Sequence, residues 1–175
     1  MYENLEGFSV TRGFSVEIEH NLTALPFSYN ASFTRMDVYT QENGNRQPLT
    51  YAPDFIGSFG ATFRIDMWDL KLGYTGNLVG PKRMPENYVQ NFGRDRESPT
   101  YSTHDLKLTK EFMDVNSEQG VGIEGYLSVE NIFDFTQGSP LVDASSPFGP
   151  QFDTIYTWGP IIGRTISLGA RLNLR

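Results

Sequence analysis

The stretch that decides the fold is the last one of the chain, Arg164-Thr165-Ile166-Ser167-Leu168-Gly169-Ala170-Arg171-Leu172-Asn173-Leu174-Arg175. From residue 166 to residue 174 every even position is apolar, and the odd positions between them are polar or glycine. A period of two residues is typical of a β-strand with two different faces, whereas a helix repeats about every 3.6 residues. The stretch therefore predicts a strand with one apolar face and one polar face.

Six earlier segments alternate in the same way and predict further strands, at 8–19, 27–34, 55–65, 70–78, 101–112 and 121–130. The apolar phase of the second segment changes after Thr34, which predicts either a β-bulge or the exit of that strand from an apolar zone. Polar stretches without a period predict loops at 41–48, 79–100 and 134–160, and tight turns at 66–69 and 114–120. The chain is thus predicted to be all-β, with residues 1–175 forming seven antiparallel strands of one domain.

The lengths of these segments indicate which class of β-protein this is. Each strand has about ten alternating residues, which is the length that a tilted strand needs to cross a bilayer, and soluble strands are usually shorter. Short and long connections alternate, as in outer-membrane barrels. Aromatic residues predict two interfacial girdles, with Phe27, Trp68 and Phe112 beside the short turns and Phe55, Tyr101 and Phe133 beside the long loops. We therefore expect a transmembrane β-barrel, and seven strands make it a fragment, because single-chain bacterial barrels have even numbers of strands.

The polar positions of these strands favour a hydrated lumen over an open water-exposed surface. Most of them are small and uncharged, and the charges are spaced. The predicted lumen-facing residues include Glu17, Arg64, Lys71, Lys107, Glu130 and Arg171. Acidic side chains such as Glu17, Glu19, Glu124 and Glu130 are expected to form salt bridges with Lys71, Lys107 and Arg171.

Composition excludes several function classes. The formal net charge is −7 and the basic residues are scattered, so we expect no nucleic-acid partner. With no cysteine and only two histidines, His20 and His104, we expect no metal, no cofactor and no catalytic residues. The His104-Asp105 pair has no accompanying nucleophile motif, so structural roles are favoured for both histidines.

Two predicted loops contain the candidate ligand contacts. In 79–100, Arg94 and Arg96 stand among acidic residues, which predicts an anion-binding surface or, with more weight, pairing within the loop. In 134–160, Phe148, Tyr156 and Trp158 predict either an aromatic wall over a ligand or packing between loops, with equal weight.

Several segments of the chain resemble TonB-dependent outer-membrane receptors. Tyr126-Leu127-Ser128-Val129-Glu130-Asn131-Ile132-Phe133-Asp134 resembles their "V-x-N-L-F-D" segment, and Gly163 to Leu172 is similar to their final "G-R-x-x-x-x-G-x-R" strand. Upstream, Gly13-Phe14-Ser15-Val16-Glu17-Ile18-Glu19 and Tyr51-Ala52-Pro53 are similar to their "G-x-E-x-E" and "Y-x-P" strands. The stretch 146–153, followed by Trp158-Gly159-Pro160, resembles receptors of Bacteroidota.

The resemblance implies that the chain is the carboxyl-terminal part of a barrel of about 22 strands, located in the bacterial cell outer membrane. It implies import of a scarce ligand of the siderophore, cobalamin, glycan or peptide class, driven by the TonB complex through a plug that these residues do not include. Further implied partners are outer-membrane lipid, the remaining barrel strands, a surface lipoprotein and the barrel-assembly machinery. That machinery would recognise 169–174, although the chain ends in Arg175 where the family has an aromatic residue. The alternatives are a soluble β-barrel that binds a small apolar ligand, and an outer-membrane enzyme or adhesin.

Overall fold

The computed structural model describes residues 7–22, 25–42, 44–114, 121–154 and 156–174. Within these residues the chain is all-β, and eight strands form one antiparallel sheet. The strands are β1 (Gly7–Leu22), β2 (Phe27–Glu42), β3 (Asn45–Pro48), β4 (Phe55–Ile65), β5 (Leu70–Val79), β6 (Tyr101–Met113), β7 (Val121–Glu130) and β8 (Thr165–Leu174). The seven predicted strands are confirmed, and the short strand β3 is additional.

The sheet is a meander in which each long strand lies beside its neighbours in sequence, in the order β1-β2-β4-β5-β6-β7-β8. Strand β3 pairs with the end of β2 that extends beyond β4. Among the described residues, β1 and β8 each leave one edge without a partner strand, so the sheet is open.

The pairing register collects the alternating side chains of all seven long strands on two faces. One row of directly paired residues crosses the whole sheet and is entirely apolar: Leu22, Phe27, Phe63, Leu72, Leu108, Leu127 and Leu168. The adjacent row points to the other side and consists of Asn21, Ser28, Thr62, Gly73, Lys107, Ser128 and Ser167. We call these the apolar face and the polar face.

The connections lie at two opposite ends of the sheet. At the short-turn end, a 3₁₀ turn at Asp66–Trp68 joins β4 to β5, and Asp69 in the left-handed region (φ 47°) completes the predicted tight turn. The predicted turn at 114–120 lies outside the described residues, apart from Asp114. The long-loop end contains β3 with residues 49–54, then residues 80–100, then residues 131–164.

Two predicted loops, and one of the two alternatives for a phase change, differ from the structure. The predicted loop at 41–48 is wrong, because β2 continues to Glu42 and pairs with β3; Gly44, with a φ of 79°, provides the turn between them. Of the two alternatives for the phase change after Thr34, the bulge is excluded, since the register between β1 and β2 is regular throughout both strands, and the exit of β2 from the apolar zone is the alternative that remains. An unpredicted register shift lies between β6 and β7 at Glu111–Met113. The predicted loop 79–100 contains the helix α1 (Glu86–Phe92). Polar segments can form short strands and helices without any apolar period, so the sequence pattern does not reveal them.

The buried apolar residues of the described chain lie in the long loops and not in the sheet. Met84, Val142 and Tyr156 are buried there, and Tyr51, Phe92 and Trp158 pack against them. We call these six residues the loop cluster. Of the helical segments in the described ranges, none is both long enough and apolar enough to pass through a membrane.

Candidate functional site

The apolar face extends over all seven long strands, and no described residue covers it. Leu108 belongs to a strand with neighbours on both sides, yet 38% of its surface is exposed. Leu168, on the marginal strand β8, is 84% exposed. Soluble proteins rarely expose apolar patches larger than a few hundred Å². A face that extends over seven strands therefore requires an apolar environment or an apolar partner.

Aromatic side chains are concentrated where the apolar face approaches its two ends. At the short-turn end, Trp68 and Phe112 are exposed. At the long-loop end, the Phe33 and Phe55 rings stack with their centroids 5.7 Å apart, and Phe133 is exposed. Trp68, Phe112, Phe55 and Phe133 lie at the two ends where they are expected, Phe33 is additional, and a role at a membrane interface stays a prediction. Tyr101 does not lie among them, because strand alternation places it on the polar face.

His104 lies on the apolar face, and hydrogen bonds satisfy both of its ring nitrogens. Its Nδ1 and the Tyr74 hydroxyl are 2.8 Å apart, and its Nε2 and the Ser102 hydroxyl are 3.1 Å apart. The edge of the ring meets Phe133, with the ring centroids 4.9 Å apart. Sequence reasoning missed this chain of hydrogen bonds. Ser102 and His104 are two residues apart and so share a strand face, but Tyr74 joins them only through the β5–β6 register.

The six predicted lumen-facing residues all lie on the polar face. Arg171 and Glu124 are directly paired across β7 and β8, and their charged groups are 3.8 Å apart. Arg64 and Lys71 are also directly opposite each other, although both are positive. Within the described residues, Glu17, Glu19 and Glu130 form no ion pair, so the expected salt bridges with Lys71 and Lys107 are not formed there.

The polar face has a charged hollow of about 500 Å³ at the short-turn end. Its lining includes Arg64, Lys71, Lys107, Glu111, Glu124 and Arg171. Further along this face, hydroxyl groups bond across strands: the side-chain oxygens of Ser32 and Ser58 are 2.7 Å apart, and those of Ser15 and Thr34 are 2.8 Å apart. The polar face is therefore hydrophilic, and positive and negative side chains are interspersed on it among hydroxyl groups.

The loop cluster fixes the long loops to one another. The Tyr156 side chain is 5% exposed, and its hydroxyl donates to the backbone oxygen of Asp95 at 3.1 Å. Arg94 extends over the Tyr156 ring, with its guanidinium carbon 5.1 Å from the ring centroid, and donates to the backbone oxygen of Leu141 at 2.7 Å. Burial raises the pKa of Tyr156, and the nearby charge of Asp95 raises it further. These contacts join the second and third long loops, and Tyr51 of the first long loop packs against the same cluster.

Gln137, which is buried, and Lys82, which is half-buried, hold the chain around Trp158. The side-chain oxygen of Gln137 accepts hydrogen bonds from the backbone nitrogens of Trp158 at 2.7 Å and Gly159 at 2.6 Å. Lys82 Nζ donates to the Trp158 backbone oxygen at 2.6 Å. The Trp158 ring lies 5.7 Å from the Tyr101 ring, measured between centroids. Trp158 is therefore held between two loops and the sheet end.

The five predicted loop contacts are thus in very different environments. Arg94 and Tyr156 are engaged in packing between loops, and Trp158 is half-buried. Arg96 pairs with Glu86 at 3.0 Å, which agrees with pairing inside the loop. Phe148 is fully exposed, at 102%. Of the five, Phe148 is the side chain most open to a ligand, and ligand contact by any of them stays a prediction.

Comparison of the chain with protein-family models and with curated proteins finds no match.

Proposed function

We propose that the apolar face contacts lipid, that the polar face lines a lumen, and that the chain is part of a transmembrane β-barrel in the bacterial outer membrane. One observation supports this most: the row from Leu22 to Leu168 is apolar on all seven long strands, while the adjacent row consists of six polar residues and Gly73. A soluble sheet buries its apolar face in a protein core. In the described chain the buried apolar residues lie in the long loops, and no protein core covers the apolar face of the sheet. Lipid is the environment that fits such a face.

The two unpaired edges favour a larger barrel. An unsatisfied row of backbone donors and acceptors is costly in hydrocarbon, where no water can bond to it. We therefore propose that β1 and β8 pair with further strands of the same barrel, which the resemblance to TonB-dependent receptors puts at about 22 strands in total.

The function that we propose for this barrel is energy-driven import of a scarce ligand. The support comes from the motifs that resemble TonB-dependent receptors, and from a long-loop end that is packed into an ordered unit able to present side chains such as Phe148. Uptake of labelled ferric siderophores and of cobalamin by cells with and without the full-length protein tests this. Uptake that needs the protein and stops when the proton gradient is collapsed supports import, and uptake that continues without the gradient refutes TonB dependence.

Single cysteines provide a direct test of the two faces, because the chain has no cysteine of its own. Leu108→Cys and Lys107→Cys place adjacent probes on opposite faces of β6. In isolated outer membranes, we expect a fluorophore on residue 108 to be quenched by spin-labelled lipid, and a cysteine at residue 107 to react with a membrane-impermeant maleimide. Residue 108 reacting with the maleimide and escaping lipid quenching would overturn the barrel, and would favour a soluble protein.

A second candidate function rests on the hydrogen bonds that join Ser102, His104 and Tyr74. A serine hydroxyl within reach of a histidine nitrogen, with the other nitrogen held by a third group, is the arrangement that activates a nucleophile. Its position on the apolar face would favour lipid esters as substrates. Labelling of Ser102 by a fluorophosphonate probe in the wild type, with no labelling in His104→Gln, would support a hydrolase. If the wild-type protein is not labelled, these hydrogen bonds have a structural role only.

A further inference from the structure

Three arginines lie on the same side of the sheet as the apolar face, where that face ends. They are Arg12 on β1, Arg35 on β2 and Arg46 on β3, and we call them the arginine cluster. Their cross-strand partners establish the side: Arg35 lies opposite both Phe14 and Phe55 in the register. All three arginines are exposed.

The side chains of β2 define the boundary. Toward the long-loop end, this side of β2 presents Phe27, Tyr29, Ala31 and Phe33, and then Arg35, Asp37, Tyr39 and Gln41. Arg35 is therefore the first charged residue beyond the apolar part. The residues opposite Arg35 on both neighbouring strands are aromatic, Phe14 on β1 and Phe55 on β4. The Phe33 ring lies 6.4 Å from the Phe14 ring and 5.7 Å from the Phe55 ring, measured between centroids. A long charged side chain at such a border extends toward the polar headgroups while its methylene groups remain on apolar surface.

The arginine cluster is ordered by one acidic and one aromatic residue. Asp37 accepts hydrogen bonds from both Arg12, at 2.9 Å, and Arg46. The guanidinium carbons of Arg12 and Arg46 lie 5.9 Å and 4.0 Å from the Tyr39 ring centroid. Asp37 thus holds two guanidinium groups in place.

The positive charge of this surface exceeds its negative charge. Arg35 forms no ion pair among the described residues, while Asp37 serves both other arginines. Arg12, Phe14, Arg35, Asp37 and Asp54 line a common hollow of about 580 Å³. Asp37 and Asp54 together balance two of the three arginine charges, so one positive charge has no counterion on this surface. An anionic group with several acceptor oxygens would complete this arrangement, and phosphate suits the forked guanidinium geometry.

We propose that the arginine cluster binds the phosphate of a lipid headgroup in the leaflet beside the long loops, with Arg35 as its principal contact. The inference rests on the proposed function, since only a lipid-embedded apolar face brings headgroups to this border. Phe14, Phe33 and Phe55 then contact the first part of the acyl chains, directly below the phosphate. The adjoining polar headgroup and apolar chain of one lipid match the adjoining charged and aromatic parts of this surface.

The test uses the full-length protein in nanodiscs that contain lipid A with or without its phosphate groups. Lipid retained by the purified protein is counted by native mass spectrometry. We expect Arg35→Gln to weaken retention of phosphorylated lipid about fivefold, and Arg12→Gln with Arg35→Gln to weaken it about 25-fold, since each arginine near a charged membrane surface contributes about that factor. Arg35→Lys should retain an intermediate amount, because it keeps the charge and loses the fork.

Arg64→Gln is the matched control, because it removes an exposed arginine from the polar face at the short-turn end, remote from the arginine cluster. Its lipid retention should equal that of the wild type. The inference is overturned if wild type and Arg35→Gln retain the same amount, if removing the lipid phosphates changes nothing, or if millimolar inorganic phosphate displaces the lipid as a free-phosphate site would require. A wild-type protein that enters no nanodisc at all refutes the proposed function itself, and this inference with it.

Discussion

An arginine introduced at residue 108 distinguishes a bilayer from water as the environment of the apolar face. Leu108 is close to the middle of β6, and its row is apolar across the whole sheet. At the middle of a bilayer, arginine on the lipid face of a barrel costs about 2–4 kcal/mol of unfolding free energy. On a water-exposed surface the same change stays within about 0.5 kcal/mol. We therefore expect Leu108→Arg to lower the free energy of unfolding by about 2–4 kcal/mol.

The assay is urea unfolding of the barrel in lipid vesicles, monitored by tryptophan fluorescence. Leu108→Ala measures the loss of the leucine side chain alone, and its cost is subtracted. Thr109→Arg places the same charge one residue further on, on the polar face, and should change the unfolding free energy by no more than about 0.5 kcal/mol. Equal costs for Leu108→Arg and Thr109→Arg, or no cost for either, would refute the assignment of the two faces.

Three further predictions concern the loops and β1. Tyr156→Phe should destabilise the loop cluster by about 1 kcal/mol through the lost hydrogen bond to Asp95, and Tyr156→Ala by about 3–5 kcal/mol, measured by hydrogen exchange of residues 131–154. The pKa of Tyr156 is raised above 10.0, so the neutral side chain contributes fully to the stability of the loop cluster below pH 10.0, and this contribution is lost as the pH rises through the raised pKa. Phenolate absorbance and proteolysis of the loops should therefore increase over the same pH range. Gly13→Ala should cost about 1–3 kcal/mol in urea unfolding, since the added carbon would overlap the Arg35 carbonyl oxygen, whereas Gly57→Ala, whose nearest neighbour would be 3.5 Å away, should cost less.

The strands and their two faces could be predicted because each strand carries its own period. In β8 the even and odd residues determine the faces without any knowledge of neighbours, and the same holds for the six other long strands. Polar segments such as β3 and α1 lack this signal, so their backbone hydrogen bonding was not evident. The change of phase after Thr34 is visible in the sequence, but the sequence does not distinguish a bulge from an exit from the apolar zone; the regular β1–β2 register excludes the bulge and leaves the arrival of Arg35 and Asp37 as the cause.

The surroundings of individual side chains could not be predicted in the same way, because they depend on contacts between distant segments. Phe148 and Tyr156 belong to one aromatic stretch, yet one is fully exposed and the other is buried against Met84 and Val142. Nothing in the local sequence distinguishes them. Likewise, Tyr74 reaches His104 only because the β5–β6 register places residue 76 opposite residue 104.

The loop cluster also constrains the order of folding events. The hydrogen bond from Tyr156 to Asp95 joins residues that are 61 positions apart, and a contact of that span carries a large loop-closure entropy when the chain between is unstructured. The β6–β7 hairpin shortens that span by bringing the strand ends together. We therefore expect the loop cluster to close after the β6–β7 hairpin, whose two strands lie between residues 95 and 156, has formed.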